Sequence, residues 1–303
     1  MTPVLVIINP VSGPSRRGTP AERVKAARQA LDRLGVAAEI RLTERAGHAH
    51  EIALEAAASN VELVMAWGGD GTINEVGRAL VQAASAGGDS NRPGPALGII
   101  PGGSGNGLAR ELRIPFDPAQ AIERAIRAEV RHLDAGELGE RVFFNIAGIG
   151  LDAHVAALVS TRVNHRGLLP YLKATARDLF RYVPVDYTVT IDGNTFQTSA
   201  LFLAVANSKQ YGFGAEIAPG ASLDDGLLDF VIVQDRRFMG NVGRIPSMFL
   251  GNLDRQKGIM THRVRELAIR SRDSMLFHAD GEAVQGSDTL VARVHPGALR
   301  LKA

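Results

Sequence analysis

Residues 64–76 read VMAWGGDGTINEV. An apolar run leads into Gly68-Gly69-Asp70-Gly71-Thr72, and a helical pattern follows. Glycines packed this densely let a ligand approach the main chain closely. Amide N–H groups at such a turn, just ahead of a helix, make an anion site. A carboxylate in the same turn would repel bare phosphate, so Asp70 points to a metal–nucleotide rather than to free phosphate. The competing reading is a plain strand-to-helix turn in which Asp70 caps the helix.

Strand and helix alternate on both sides of this turn. Residues 4–8, VLVII, form a continuous apolar run that predicts a buried strand. Asn9-Pro10-Val11-Ser12-Gly13 breaks it, and Arg16 and Arg17 continue the loop. Pro20 opens a helix to about residue 34, because proline suits the first helical turn. Strands follow at 36–42, 61–67 and 97–100, with helices at 46–59 and 72–84. Residues 101–107, PGGSGNG, form a second glycine-rich turn, then a helix to Leu112 and another over 118–128. This alternation predicts a parallel sheet with helices on both faces. Both glycine-rich turns fall at the carboxyl ends of strands, where open α/β sheets bind ligands.

The pattern changes near residue 131. Short strands are predicted at 130–138, 141–146, 187–191, 195–205, 227–233, 264–271, 275–279, 289–294 and 299–302. Asp192-Gly193-Asn194 has the composition of a tight hairpin turn. Helical stretches interrupt at 153–163, 168–182 and 238–250. The second half therefore reads as an antiparallel β-sandwich with helical insertions. The expected domains are 1–131 and 132–303, with the last few residues returning to the first.

Composition narrows the function. Hydrophobic residues make up 45% of the 303, enough for a sizeable core. A net charge of +2 is too mild to argue for nucleic acid, and 5% aromatic residues weaken any base-stacking reading. The chain has no cysteine, which excludes disulfides and thiolate metal sites. No window approaches the roughly 18 apolar residues of a membrane span, and residues 4–8 lack a basic flank. The expected location is cytoplasmic, with peripheral contact at the inner face of the membrane.

Several motifs are decoys. Residues 148–153, GIGLDA, match a dinucleotide fingerprint, but no acid-tipped strand follows to hold a ribose. Gly102-Gly103-Ser104-Gly105-Asn106 lacks the last glycine of a nucleophile elbow. The chain has no Gly-Lys pair, hence no Walker motif. His48, His50 and Glu51 read as a polar helix face rather than zinc ligands, because no His pair is spaced i, i+4.

The stretches GGDGTIN at 68–74, LGIIPGGSGN at 97–106, NPVSG at 9–13 and Asp280-Gly281-Glu282 together resemble the diacylglycerol kinase catalytic-domain family. That family includes bacterial lipid kinases and sphingosine kinases and is more distantly similar to NAD kinases and phosphofructokinases. The resemblance spans nearly the whole chain, with the motifs in the expected order. It implies that Asn9, Pro10, Val11, Ser12, Gly13, Thr43, Gly68, Gly69, Asp70, Gly71, Thr72, Ile73, Asn74 and Ser104 line an ATP site. Ser104 stands where many bacterial relatives carry threonine. Glu282 is implied as the general base; independently of the resemblance, Asp70 is a candidate catalytic group because its carboxylate can orient Mg²⁺, directly or through water. Ser222, Asp225 and Leu227 resemble a loop that holds a structural Mg²⁺. Asp152 resembles the acid that meets the lipid head group in sphingosine kinases.

The residues allow the same chemistry. Phosphoryl transfer needs positioning, charge neutralisation and a base on the acceptor hydroxyl. Two glycine turns can hold phosphates by main chain, and Glu282 on a glycine hinge can reach across a cleft to the acceptor. The bland alternative for Glu282, as for Asp224-Asp225-Gly226, is a surface hairpin turn. Over 168–182, Lys173, Arg177 and Arg181 form a basic stripe opposite an apolar one, with Arg162 and Arg166 upstream. This is a solvated helix face or a surface for anionic lipid. The expected protein is a two-domain, ATP- and Mg²⁺-dependent lipid kinase that meets its substrate at a membrane surface. Diacylglycerol is the default substrate and a sphingoid base the alternative. No nucleic-acid partner is expected, and a homodimer is allowed. A soluble-metabolite kinase similar to NAD kinase and a catalytically silent nucleotide-binding regulator are the competing readings.

Overall fold

The computed structural model describes residues 4–13, 18–86, 93–160, 182–212 and 214–303. The chain divides into two compact units, Met1–Leu133 with Gly297–Ala303, and Asp134–Pro296.

In the first unit, β1 (Val4–Ile8) is buried along its whole length. Helix α1 (Pro20–Arg33) begins with a capping box in which Thr19 and Glu22 satisfy each other's backbone N–H. It is followed by β2 (Ala38–Leu42), α2 (His48–Ala57), β3 (Leu63–Gly68) and α3 (Asp70–Ser85). Then come β4 (Ala96–Pro101), α4 (Gly107–Glu111) and α5 (Pro118–Arg127). The strands pair in the order β2-β1-β3-β4, all parallel. β3 and β4 are as fully buried as β1 because α1 with α5, and α2 with α3, pack against the sheet. The chain's last residues add a further parallel strand, Leu301 pairing with Leu97.

β5 (Val130–Leu138) leads into the second unit and pairs with β6 (Arg141–Phe143). β7 (Ile146–Gly150), α6 (Leu151–Ser160), β8 (Val185–Ile191), β9 (Asn194–Ala200) and β10 (Phe202–Ala206) follow. A small hairpin, β11 (Gln210–Gly212) with β12 (Ala215–Glu216), precedes β13 (Leu228–Val233). The remaining strands are β14 (Ile259–Val264), β15 (Glu266–Arg270), β16 (Leu276–Ala279), β17 (Glu282–Gln285) and β18 (Thr289–Lys302).

One antiparallel sheet runs β14-β13-β10-β7-β16-β17. A second is built from β9, β8, β15 and the first half of β18. Ile149, Val205, Phe230 and Phe277 of the first sheet share a buried cluster with Tyr187, Val189, Ile269 and Ala292 of the second. That shared core makes the unit a sandwich.

Several elements differ from the expectation. The run 195–205 is two strands, β9 and β10, separated at Leu201 and assigned to different sheets. The run 264–271 hides the break between β14 and β15, and β14 itself was not expected. Residues 238–250 form two short helices, Arg237–Val242 and Ile245–Phe249, with Pro246 in the first turn of the second. Strands expected at 289–294 and 299–302 are one strand, β18. The strand expected at 141–146 is split into β6 and the start of β7, and residues 148–150 complete β7. The helix expected over 168–182 lies outside the described residues apart from Tyr182, and so do Arg16, Arg17, Arg162 and Arg166.

Candidate active site

β1, β3 and β4 deliver three turns to one edge of the parallel sheet. The Gly102 N–H donates to Gly68 O at 2.7 Å. The two glycine-rich turns then approach so closely that a Cβ on Gly103 would overlap the Gly69 Cα. Asn106 sits in the left-handed region at φ 53°, and its side chain closes its own turn. Its Oδ1 accepts from the Gly103 N–H at 2.9 Å, and its Nδ2 donates to Gly103 O at 2.8 Å.

Asp70 is the brace between the turns. Its Oδ2 accepts the Asn106 N–H at 2.8 Å and its Oδ1 accepts the Gly107 N–H at 2.6 Å. Short bonds of this kind to an ionised acceptor are stronger than neutral ones. At the head of α3, Gly69 stands in the N-cap position and provides no side-chain cap. The NPVSG turn is tied to the same helix, because Asn9 Nδ2 donates to Thr72 Oγ1 at 2.9 Å. Asn9 Oδ1 accepts the Val11 N–H at 3.1 Å.

Among the residues expected to hold nucleotide, Ser12, Thr72, Ile73 and Asn74 are buried, Gly68 through Gly71 form the turn, and Ser104 is half-buried. Val11 is exposed on the first turn, between Pro10 and the Ser12-Gly13 end. Thr43, buried just past β2, donates its N–H to Ile8 O at 2.9 Å.

In the second unit, Glu282 is exposed at the start of β17, one step beyond the Asp280-Gly281 turn. Asp280 anchors that turn. Its carboxylate accepts the N–H groups of Phe144 at 2.8 Å, Asn145 at 2.8 Å and Ile146 at 3.1 Å. These bonds also end β6, because the amides of residues 144–146 face Asp280. Asp280→Asn leaves one acceptor oxygen for donors on both sides. We expect it to lower unfolding free energy by about 1–3 kcal/mol, read from urea midpoints at unchanged slope.

Asp152, at the start of α6, is buried and accepts from Ala153 N–H at 2.8 Å and Tyr211 Oη at 2.7 Å. His278 Nε2 lies 3.2 Å from its Oδ2. Burial, with Asp152 nearby, pushes the Tyr182 phenol up to about 12, so it stays protonated and can donate.

Two sequence profiles match this chain: the diacylglycerol kinase catalytic domain over residues 3–138, and the YegS C-terminal NAD kinase beta sandwich-like domain over residues 145–303. A "Probable lipid kinase YegS-like" protein of Pseudomonas fluorescens is 32% identical over 283 residues, covering 92% of this chain and 90% of that one. The chain belongs to the diacylglycerol kinase family. A "Diacylglycerol kinase" of Bacillus subtilis is 30% identical over 280 residues, 91% of this chain and 88% of that one. The fold is shared with the crystal structure of a diacylglycerol kinase from Bacillus anthracis. That chain is 20% identical at a TM-score of 0.72, with 99% of this chain and 96% of that one covered. This family member is thus an enzyme of the lipid-kinase type with an α/β domain and a sandwich domain.

The family loop expected to hold Mg²⁺ carries its own cation here. Asp225 Oδ2 is paired with the Arg263 guanidinium, and its Oδ1 accepts the Leu227 N–H at 3.0 Å. Ser222 Oγ donates to Asp224 Oδ1 at 2.8 Å. Among the described residues no three acids or histidines converge as a metal cluster. A lone carboxylate is a weak site for a hard cation, and here it is paired with Arg263.

No helix among the described residues is long and apolar enough to cross a membrane. His48 Nδ1 accepts the Glu44 N–H and Glu51 pairs with Arg45, so these residues are spent on local bonds.

Sequence reasoning missed Arg23. It is buried in α1, where Nη1 donates to Asn9 O and Ser12 Oγ, both at 2.8 Å, and Nη2 donates to Ser12 O at 2.7 Å. The signal was present: Arg23 lies on the same helical stripe as the buried Ala27, Ala30 and Leu31.

Proposed function

We propose that this chain is an ATP-dependent lipid kinase that transfers the γ-phosphate of Mg-ATP to a lipid hydroxyl, with diacylglycerol the first candidate and a sphingoid base the second. The observation that carries the nucleotide half is the pair of glycine-rich turns held in backbone contact by Asp70, beside the α3 terminus. The Gly102, Gly103, Asn106 and Gly107 N–H groups are spent inside the cradle, which therefore offers a polyphosphate glycine main chain without side-chain bulk and the N-terminus of α3. Thr72 and Ser104 supply hydroxyls, and Asn9 through Gly13 close one side. Mg²⁺, when bound with the nucleotide, neutralises phosphate charge.

Glu282 takes the proton of the lipid hydroxyl. The hydroxyl oxygen bonds to the γ-phosphorus, the bond from that phosphorus to the β–γ bridging oxygen breaks, and ADP leaves with the electron pair. Asp152 is assigned to the polar head of the lipid. Family membership and the names of the Pseudomonas and Bacillus relatives support this reading.

The test is transfer from radiolabelled ATP to a panel of lipids extracted from the source organism and presented in vesicles, with and without Mg²⁺. Labelled lipid in the Mg²⁺ arm alone is expected. Label confined to a water-soluble product would favour the soluble-metabolite kinase, and no label in any product would favour the silent regulator.

A cation at Ser222, Asp225 and Leu227 would have to displace Arg263. The ion pair is partly exposed, so it is worth little. Arg263→Ala is therefore expected to tighten Mg²⁺ binding at this loop by about fivefold. Isothermal titration of both proteins checks this, and equal affinities would show that Arg263 does not compete.

A further inference from the structure

The GIGLDA stretch leaves its glycines without a task once the dinucleotide reading is set aside. The structure supplies one. A Cβ on Gly148 would overlap the Asp152 carboxylate and come within 2.7 Å of His278 Nε2. Gly148 is therefore a gap in β7 into which the Asp152–His278 pair fits. Both side chains are buried, His278 at 3% exposure and Asp152 at 7%. A paired polar group buried this deeply holds a defined orientation, because breaking the pair leaves an unsatisfied group.

The second ring nitrogen of His278 points to the turn that carries Glu282. The Gly281 N–H donates to His278 Nδ1 at 3.3 Å. An acceptor at Nδ1 places the ring proton of neutral imidazole on Nε2, where it is donated to Asp152 Oδ2. Tyr211 Oη donates to the same oxygen. The imidazole thus joins two groups far apart in sequence: Asp152, and the main chain immediately before Glu282. β16 fixes this geometry, because it lies between β7 and β17 with Ala279 opposite Glu282.

We infer that His278 is a positioning residue that sets the Glu282 turn and the Asp152 carboxylate in one register for phosphate transfer. The inference rests on the lipid-kinase reading for its kinetic consequence. Its two contacts can be separated by substitution. In His278→Asn the amide oxygen stands near the Nδ1 position and still accepts from Gly281, but the side chain falls short of Asp152. In His278→Gln the amide nitrogen reaches the Nε2 position and donates to Asp152, while nothing accepts from Gly281.

The expected kinetics follow this split. His278→Gln should lose about tenfold in kcat with lipid KM within about twofold of wild type. His278→Asn should keep kcat within about threefold and raise lipid KM about fivefold. Equal losses in both variants, or no change in either, would overturn the inference.

Two readouts stand apart from activity. Nitrogen–proton NMR correlations should find the His278 ring proton on Nε2; a proton on Nδ1 would refute the geometry. Hydrogen exchange at the Gly281 amide should be slow in wild type and His278→Asn and about tenfold faster in His278→Gln. Uniform exchange in the three proteins would overturn the inference even if no lipid were labelled. Absence of labelled lipid with this exchange pattern intact would instead remove the lipid-kinase reading.

Discussion

Glu282→Gln should bind ATP as tightly as wild type and lose about 10²–10⁴-fold in the rate of phosphate transfer. Glutamine has nearly the shape of glutamate and keeps its hydrogen-bonding oxygen, but it cannot take a proton from the lipid hydroxyl. The side chain is exposed, so removing its charge leaves no buried group unpaired and folding should be unchanged. Its backbone is held firmly. Asp280 accepts from residues 144–146, and His278 accepts from Gly281, so the side chain projects from an anchored turn rather than a loose loop. An ordinary hairpin turn would not need three amide bonds from residues 134 to 136 positions away. The measurements are nucleotide titration by calorimetry and single-turnover transfer to the lipid found active. A variant that transfers at the wild-type rate would move the base elsewhere.

The parallel-sheet unit was legible because its signals are local. Apolar runs mark the strands expected at 4–8, 61–67 and 97–100, and the two glycine-rich turns directly follow the latter two. Pro20 places the start of α1, which the structure begins at that residue. The sandwich was less legible. Residues 195–205, TFQTSALFLAV, contain no glycine, proline, asparagine or aspartate, so the passage from β9 to β10 at Leu201 carries no turn signal. The missed site contacts share one cause. Arg23 grips Asn9 and Ser12, Asp280 grips Phe144, and His278 meets Asp152 across 126 residues. Periodicity and spacing report neighbours along an element, whereas Arg23 meets its partners only when α1 folds back on the turn after β1, and the other two pairs only once distant strands have found their register. The partial trace each leaves is a polar residue on an otherwise apolar stripe, as at Arg23, or a glycine with no turn to make, as at Gly148.

Asp70→Asn is the second large effect, and it separates two roles for the same carboxylate. As a brace, Asp70 accepts one N–H on each oxygen, from Asn106 and Gly107. Asparagine offers one oxygen, and its NH₂ group would face the other N–H donor. The second turn would then lose its tie to the first. The Gly69–Gly103 contact leaves no room to repack by approach, so the turns should separate. The expected result is a loss of about 2–4 kcal/mol in stability and at least about a hundredfold in nucleotide affinity, in Mg²⁺ and in EDTA alike. As a group that only orients Mg²⁺, Asp70 could be neutralised with the fold and metal-free nucleotide binding intact, and only the Mg²⁺-dependent affinity would fall. Urea unfolding with nucleotide titration in both buffers distinguishes the two. Asp70 also makes interactions beyond these two bonds, so a brace that serves the metal as well would show both losses, with the larger fall in Mg²⁺. The order of the effects follows from the geometry: a carboxylate that already satisfies two main-chain donors shapes the cradle before any ligand arrives.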